Sequence, residues 1–156
     1  MFLTSRIWNW FLWLINKMKI LISLLLFLSF LQTSIVPLNL VLIVLIARAF
    51  IKEERNNLYL GFAFGLLISH LSLLPVGLLS IIYLVIIELV HLLSHSRFAK
   101  HFLLIIPLAF LMLLSEEVII SLVNNQAISL SWMLLVETVI TLPVYFLLRI
   151  WEKRFI

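Results

Sequence analysis

The side chains that could do chemistry in this chain are mainly of two kinds, carboxyl and imidazole. Its 156 residues include seven glutamates and four histidines but no cysteine and no aspartate. The lack of cysteine excludes disulfides, thiol catalysis and thiolate metal sites. Aspartate dyads are excluded as well. Any chemistry must therefore come from glutamate, histidine and hydroxyl groups.

Three glutamates and one histidine could share one depth within long apolar runs. Each of these apolar runs has one end that lies away from the basic residues. Counting ~1.5 Å per helical residue, Glu116 and Glu117 lie about 10 Å from that end of their run, and Glu137 lies about 12 Å from that end of its run. The side chains of Glu116 and Glu117 point about 100° apart, so at most one faces a given neighbouring helix. His70 is the internal candidate cation that could pair with Glu117 or Glu137.

We call these four residues the polar level. A carboxylate inside hydrocarbon is costly unless it is paired, protonated or turned inward, so each one is a candidate functional residue. Three hypotheses remain open for the polar level. It could dock a partner's helix, form an internal structural network, or bind a ligand.

The stretch "ELVHLLSH" places Glu88, His91 and His95 on one helical face. Glu-x-x-His is half of a di-iron carboxylate signature, but no other glutamate here is followed by histidine three residues later. A divalent ion on these residues is the weaker hypothesis. The alternative pairs Glu88 with His91 inside the helix. His95 and His101 would then lie near cytoplasmic headgroups, beside Arg97 and Lys100, in a basic loop that touches anionic lipid.

The familiar catalytic motifs are incomplete or missing in this sequence. "SEEVIISL" begins like the EExxxR box of glutamate-dependent intramembrane proteases, but Ser121 stands where the arginine belongs. Nucleophile elbows, zinc-protease helices and glycine-rich phosphate loops do not occur in the sequence. We therefore expect a protein that is not an enzyme and has no cofactor.

The composition is that of an integral membrane protein. Hydrophobic residues make up 65% of the chain and charged residues 12%, and the mean hydropathy is +1.26, outside the usage of soluble domains. The net charge of +4 comes from small basic clusters between apolar runs, so nucleic acid binding is not expected. With neither a long linker nor an internal repeat, residues 1–156 read as one membrane domain, and the first apolar run lacks a signal-peptide cleavage site.

Runs poor in charge predict an all-α protein with six transmembrane helices. The predicted spans are about 19–35, 37–51, 58–74, 76–96, 102–123 and 129–149. Dividing the stretch from Ile20 to Ala47 into two helices places all eleven basic residues on one side of the membrane, whereas one long helix would not. Pro37 supports a turn there. Both termini are therefore expected in the cytoplasm.

Aromatic residues mark the predicted helix ends. Trp8, Trp10 and Trp13 crowd the N-terminal segment, while Trp132 opens the last span and Trp151 closes it, as in interfacial aromatic belts. Residues 1–18 could lie along the inner interface as an amphipathic helix or simply extend the first span into the cytoplasm. The sequence leaves both alternatives open.

The stretch "GFAFGLLISHLSLLPVG", residues 61–77, predicts tight packing of the third span. Gly61, Gly65 and Ser69 form a face of small residues that lets a neighbouring helix approach closely. Pro75 then ends the helix, and Gly77 permits a sharp re-entry into the fourth span. The sequence therefore predicts a short outer hairpin.

The order of these features resembles the rod shape-determining MreD family. The resemblance covers about residues 20–90, from "LQTS" through "PLNLVLIVLIARAF" and "GFAFGLL" to "LPVGLLSIIYLVI". A family pattern GFxxGLLxD followed by PxG is matched by Gly61, Phe62 and Gly65, by Leu66 and Leu67, and by Pro75 and Gly77. The family's acidic position falls on Ser69, so no carboxylate role is carried over to this chain.

The resemblance implies a non-enzymatic membrane scaffold of bacterial cell elongation. Such a protein would lie in the cytoplasmic membrane and work with an MreC-like partner. Through that partner it would act with MreB and with the RodA and penicillin-binding synthases of sidewall peptidoglycan. The implied fold is similar to the S components of energy-coupling-factor transporters. The second hypothesis is therefore an S-type subunit that captures a vitamin or metal ion in an outward pocket.

Overall fold

The computed structural model describes residues 2–96, 101–128 and 131–154, with side chains from Arg6 onward. This part of the chain is helical and contains no strand, which confirms the all-α prediction. Each predicted span overlaps one α-helix. The helices are α1 Phe2–Ser34, α2 Leu40–Ile51, α3 Arg55–Leu71, α4 Leu78–Ser94, α5 Ile105–Val123 and α6 Trp132–Arg154, with a 3-10 turn at Phe102–Leu104.

Several helix boundaries differ from the prediction. α1 begins at Phe2 and runs unbroken, so the described N-terminal segment extends the first helix instead of turning away from it. α3 starts before residue 58 because Asn57 donates from Nδ2 to the carbonyl of Lys52 at 2.9 Å and holds the polar first turn. It ends at Leu71, so the prediction that Pro75 ends the helix is wrong; Leu73 already adopts a positive φ of 56°. Part of the sixth predicted span, residues 129–130, and Arg97 with Lys100 lie outside the described residues.

Within the part of the chain that the structure describes, three helical segments are long and apolar enough to cross a membrane. They are Arg6–Ser34, Phe102–Val123 and Trp132–Arg154, whereas α2 and α4 are shorter apolar helices. Large apolar side chains on the long helices are exposed, including Phe27 at 64% and Leu147 at 68%. Exposed apolar surface on this scale marks contact with lipid or with another protein. The chain therefore has the features of a membrane protein.

α2 is the central helix of the bundle. It packs against each of the other five α-helices, and every residue from Val41 to Ala49 is buried. A helix that is apolar all round is expected in a core, because it has no polar face to present to water. Its twelve residues span about 18 Å, which is less than the ~30 Å hydrocarbon core.

The small-residue face of α3 packs against α4. A Cβ atom on Gly65 would lie 2.6 Å from Cα of Ser80 and 2.7 Å from its backbone nitrogen. On Gly61 it would lie 2.4 Å from Cδ1 of Ile87. Ser80 also donates from Oγ to the carbonyl of Phe62 at 3.0 Å. This is the close backbone approach that the glycine spacing predicts.

The turn between α3 and α4 uses the residues that the sequence singled out. Gly77 caps α4 in the left-handed region, at φ 91° and ψ −15°, and Pro75 accepts a hydrogen bond from the backbone N–H of Leu78 at 3.1 Å. Ser69 is fully buried on the small-residue face. Its Oγ has no hydrogen-bond partner among the described residues.

Candidate functional site

Two glutamates of the polar level meet at the start of α2. The backbone N–H of Asn39 donates to Oε1 of Glu137 at 2.8 Å, and Asn39 Nδ2 donates to Oε2 of Glu116 at 3.1 Å. Asn39 is the N-cap residue of α2. The two carboxyl groups therefore lie at the positive end of the helix dipole, which favours negative charge.

The turn before α2 holds Asn39 in place. Gln32 Oε1 accepts from the backbone N–H of Val41 at 3.2 Å, and Gln32 Nε2 lies 3.4 Å from Oδ1 of Asn39. Gln32 thereby satisfies a backbone N–H group in the first turn of α2. The side chains of α5 and α6 thus contact a helix start at which the backbone N–H groups of Asn39 and Val41 are both hydrogen-bonded.

The cavity beside this cluster has a volume of about 310 Å³. Its walls come from α5, α6, the α1–α2 turn and the loop after α5. We call it the outer cavity, and its lining residues are Pro37, Asn39, Leu113, Glu117, Ile120, Ser121, Gln126, Ala127, Ser131, Met133 and Glu137. Two residues with carboxyl groups, Glu117 and Glu137, and two with amide groups, Asn39 and Gln126, therefore line one space.

The three glutamates take different positions. Glu116 is 1% exposed and Glu137 is 5% exposed, whereas Glu117 is partly exposed and lines the outer cavity. Glu116 therefore belongs to the internal network, Glu117 faces the cavity, and Glu137 does both. The angular argument from the sequence is consistent with this division, because neighbouring carboxyl groups face different surroundings.

The predicted pairing of His70 with a glutamate is wrong. His70 is exposed, and it takes part in no described hydrogen bond or ion pair. Asn39 fills the place expected of His70, because the N-terminus of α2 comes to the carboxyl groups, whereas His70 lies on the exposed side of the last turn of α3. The donors are an amide side chain and a main-chain N–H instead of an imidazolium.

No protein-family model, curated protein or solved structure matches this chain. The function must therefore be argued from the site itself. The outer cavity offers carboxyl oxygens from Glu117 and Glu137 at its surface, supported by Asn39 from behind. Such a surface can bind hydrogen-bond donors, namely a basic side chain, an amide side chain or a hydroxyl group. It can also bind a cation. It contains no nucleophile paired with a base among its described lining residues.

Glu88, His91 and His95 do not converge on one point. His91 is 3% exposed and its Nε2 lies 3.3 Å from Nδ2 of Asn57. Its Nδ1 lies 3.9 Å from Glu88 Oε2, which is the expected pair within the helix at a long distance. His95 instead contacts Glu53 in the α2–α3 loop. Among the described residues no group of three His, Cys, Asp or Glu could hold a metal ion.

The His95 contact also shapes the loop it reaches. The hydrogen bond from His95 holds the pKa of Glu53 below its ordinary value, although partial desolvation acts in the opposite direction. Sequence reasoning placed His95 among lipid headgroups and did not foresee an acidic partner in the α2–α3 loop. The two residues lie 42 positions apart, so no local spacing could have revealed the pair.

Sequence reasoning also missed a set of charges at the opposite end of the bundle. Arg48, near the end of α2, is 4% exposed and donates from Nη2 to Glu54 at 3.1 Å. Lys17 of α1 pairs with Glu152 of α6 at 2.7 Å. The sequence contained one signal of these charges, because Arg48 is the cation inside the otherwise apolar segment "LVLIVLIARAFI" of α2.

Proposed function

We propose that this chain is a non-enzymatic scaffold of the bacterial cytoplasmic membrane, related in type to MreD proteins. In this proposal it crosses the membrane six times with both termini inside, and it docks the transmembrane helix of an MreC-like partner. Through that partner it helps to position sidewall peptidoglycan synthesis by RodA and penicillin-binding synthases together with MreB.

The outer cavity is the observation that carries the docking proposal. Glu117 and Glu137 bring two carboxyl groups to one cavity near the outer end of α5 and α6. In lipid, apolar contact gives little preference for one helix over another, so specificity comes from close packing and buried polar contacts. A partner helix that carries a donor side chain at this depth would be selected by these carboxyl groups.

The internal network supports the same proposal by fixing the site. Asn39 ties α2 to both α5 and α6, and α2 is packed on all sides. The cavity walls therefore cannot shift without loss of hydrogen bonds in a buried region, where unpaired groups are costly. A rigid surface of this kind loses little conformational entropy when a partner binds.

A second candidate function is favoured by the size of the same cavity. At about 310 Å³ it lies at the lower end of the ~300–1,000 Å³ typical of small-molecule sites. An S-type transporter subunit would hold a vitamin or metal ion there. It would then need a coupling membrane subunit and paired ATPases.

Mass spectrometry of the tagged protein, extracted in native lipid discs from its own membranes, distinguishes the two. Recovery of a single-span MreC-like protein with synthases supports the scaffold. Recovery of ATPases or a stoichiometric small molecule supports the transporter and overturns the scaffold.

The double variant Glu117→Gln and Glu137→Gln tests the site itself. It should lower recovery of the partner, whereas Glu88→Gln, on an exposed face of α4, should not. Equal recovery from all three proteins would contradict docking at the outer cavity.

A further inference from the structure

A second cavity lies at the end of the bundle opposite the outer cavity. Its volume is about 650 Å³, and it is lined by α1, the end of α2, the start of α3 and the end of α6. We call it the basic cavity. Its lining residues are Trp10, Trp13, Leu14, Lys17, Met18, Arg48, Lys52, Glu54, Asn56, Glu152 and Arg154.

The basic cavity has an excess of positive charge. Its four cations are Lys17, Arg48, Lys52 and Arg154, and its two carboxylates are Glu54 and Glu152. The Glu152 carboxylate forms an ion pair with Lys17 at 2.7 Å. Glu54 is shared, with Oε1 on Lys52 at 2.5 Å and Oε2 on Arg48 at 3.1 Å. The acids therefore cannot balance the cations, and an anion would be attracted.

Arg48 supplies hydrogen-bond donors that no described residue satisfies. Nη2 contacts Glu54 and, at 3.9 Å, Sδ of Met18. Nε and Nη1 are buried and have no partner. A guanidinium group is always charged and presents its donors as a rigid fork that matches a phosphate or carboxylate. Leaving such donors unpaired in a buried place is costly, so the group calls for an oxygen acceptor.

The surroundings of the basic cavity favour a lipid as the source of that acceptor. Trp10, Trp13 and Leu14 form its wall on α1, and tryptophan prefers the headgroup depth of a bilayer. Lys17 lies 5.4 Å from the ring centroid of Trp13 and 5.1 Å from that of Trp151. Basic pockets between helices on the cytoplasmic side are known to hold anionic headgroups.

We propose that the basic cavity binds the phosphate of an anionic phospholipid from the leaflet that meets the basic ends of the helices. The guanidinium group of Arg48 donates to a phosphate oxygen, Lys52 and Arg154 contribute charge at the rim, and the acyl chains run along α1 past Trp10. The site does not depend on the docking function proposed for the outer cavity. It requires only that the chain lies in a membrane.

Native mass spectrometry of the protein with phosphatidylglycerol and phosphatidylcholine in equal amounts tests this proposal. The wild-type protein should retain phosphatidylglycerol in preference to phosphatidylcholine. Arg48→Lys, which keeps the charge but removes the guanidinium donors, should weaken that retention about tenfold, as expected for loss of a charge-assisted hydrogen bond. The preference should also fall at high salt because screening weakens contacts at the rim.

Two further variants keep the test decisive if Arg48→Lys fails to fold. Arg154→Gln changes an exposed side chain of the cavity rim and should reduce retention about threefold. The matched control is Arg55→Gln, which removes an equal charge from an exposed position outside the cavity lining. Equal retention by the wild type, Arg154→Gln and Arg55→Gln would overturn the proposal.

Inorganic phosphate distinguishes a lipid headgroup from a free anion. Release of phosphatidylglycerol by millimolar inorganic phosphate, but not by chloride at equal ionic strength, would assign the cavity to free phosphate and contradict the lipid proposal. Retention that survives inorganic phosphate, combined with loss in Arg154→Gln, supports the lipid.

Discussion

The backbone N–H of Asn39 donates a hydrogen bond to Oε1 of Glu137 at 2.8 Å, across 98 residues of sequence. This bond joins the N-terminus of the central helix α2 to the second turn of α6. Asn39 also reaches Glu116 of α5 through its side chain. One residue at a turn thus connects three helices and sets the back wall of the outer cavity.

Removing the acceptor of this bond should destabilise the protein. We expect Glu137→Ala to lower the free energy of unfolding by about 1–3 kcal/mol, because it leaves the N–H of Asn39 without its partner. Glu137→Gln keeps an oxygen acceptor and should cost less. Thermal unfolding in detergent measures both. Glu117→Ala is the control, since Glu117 makes no described hydrogen bond, and a cost equal to that of Glu137→Ala would contradict the structural role of Asn39.

The glycines of α3 should differ in their tolerance of a methyl group. Gly65→Ala should lower the free energy of unfolding by about 1–3 kcal/mol, because the new Cβ meets the backbone of Ser80, which cannot move aside locally. Gly61→Ala meets only the end of the Ile87 side chain and should cost under about 1 kcal/mol. Unfolding curves measure the difference. A larger cost at Gly61 would show that the α3–α4 contact is not closest at Gly65.

The contribution of the loop after α2 to the free energy of unfolding should fall in acid. Burial acts to raise the pKa of Glu54, but its hydrogen bond with Lys52 and the charges of Lys52 and Arg48 outweigh burial and lower it from 4.5. A lowered folded-state pKa gives stability that is present above pH 4.5 and is lost as the pH falls through the folded value. The loss is no more than about 1 kcal/mol, because the pair is partly solvated.

Unfolding measured between about pH 6 and about pH 3 should reveal this loss. The variant Glu54→Gln should show a shallower pH dependence over the same window. Some dependence remains in that variant, since Glu53 also has a lowered pKa through its hydrogen bond with His95. Identical pH profiles for the wild type and Glu54→Gln would contradict the role assigned to Glu54.

Single cysteines can test the six-span topology without background, because the chain has no cysteine of its own. Ser34→Cys, Val76→Cys and Asn124→Cys lie at the three connections expected outside, and all three positions are exposed. They should react with a membrane-impermeant maleimide on intact cells. Ser96→Cys should react only after permeabilisation. Labelling of Ser34→Cys and Ser96→Cys from the same side would contradict the proposed path of the chain.

The helical pattern could be predicted because it depends on local properties. Long apolar runs separated by charge, proline and polar clusters marked all six helices, and the spacing of Gly61 and Gly65 indicated a close helix contact. Boundaries were less accurate at α3, where Asn57 and Leu73 decide the ends. Their influence depends on a hydrogen bond to Lys52 and on one positive φ, which composition does not encode.

The sequence by itself determined an all-α fold with apolar helices and a small set of buried carboxyl groups. Only the tertiary structure decided that Asn39, not His70, meets those carboxyl groups, and that Arg48 lies buried in a basic cavity. Hydropathy is set residue by residue along the chain. The partner of a buried polar group instead depends on the rotation and depth of helices distant in sequence, which are fixed only when the bundle packs.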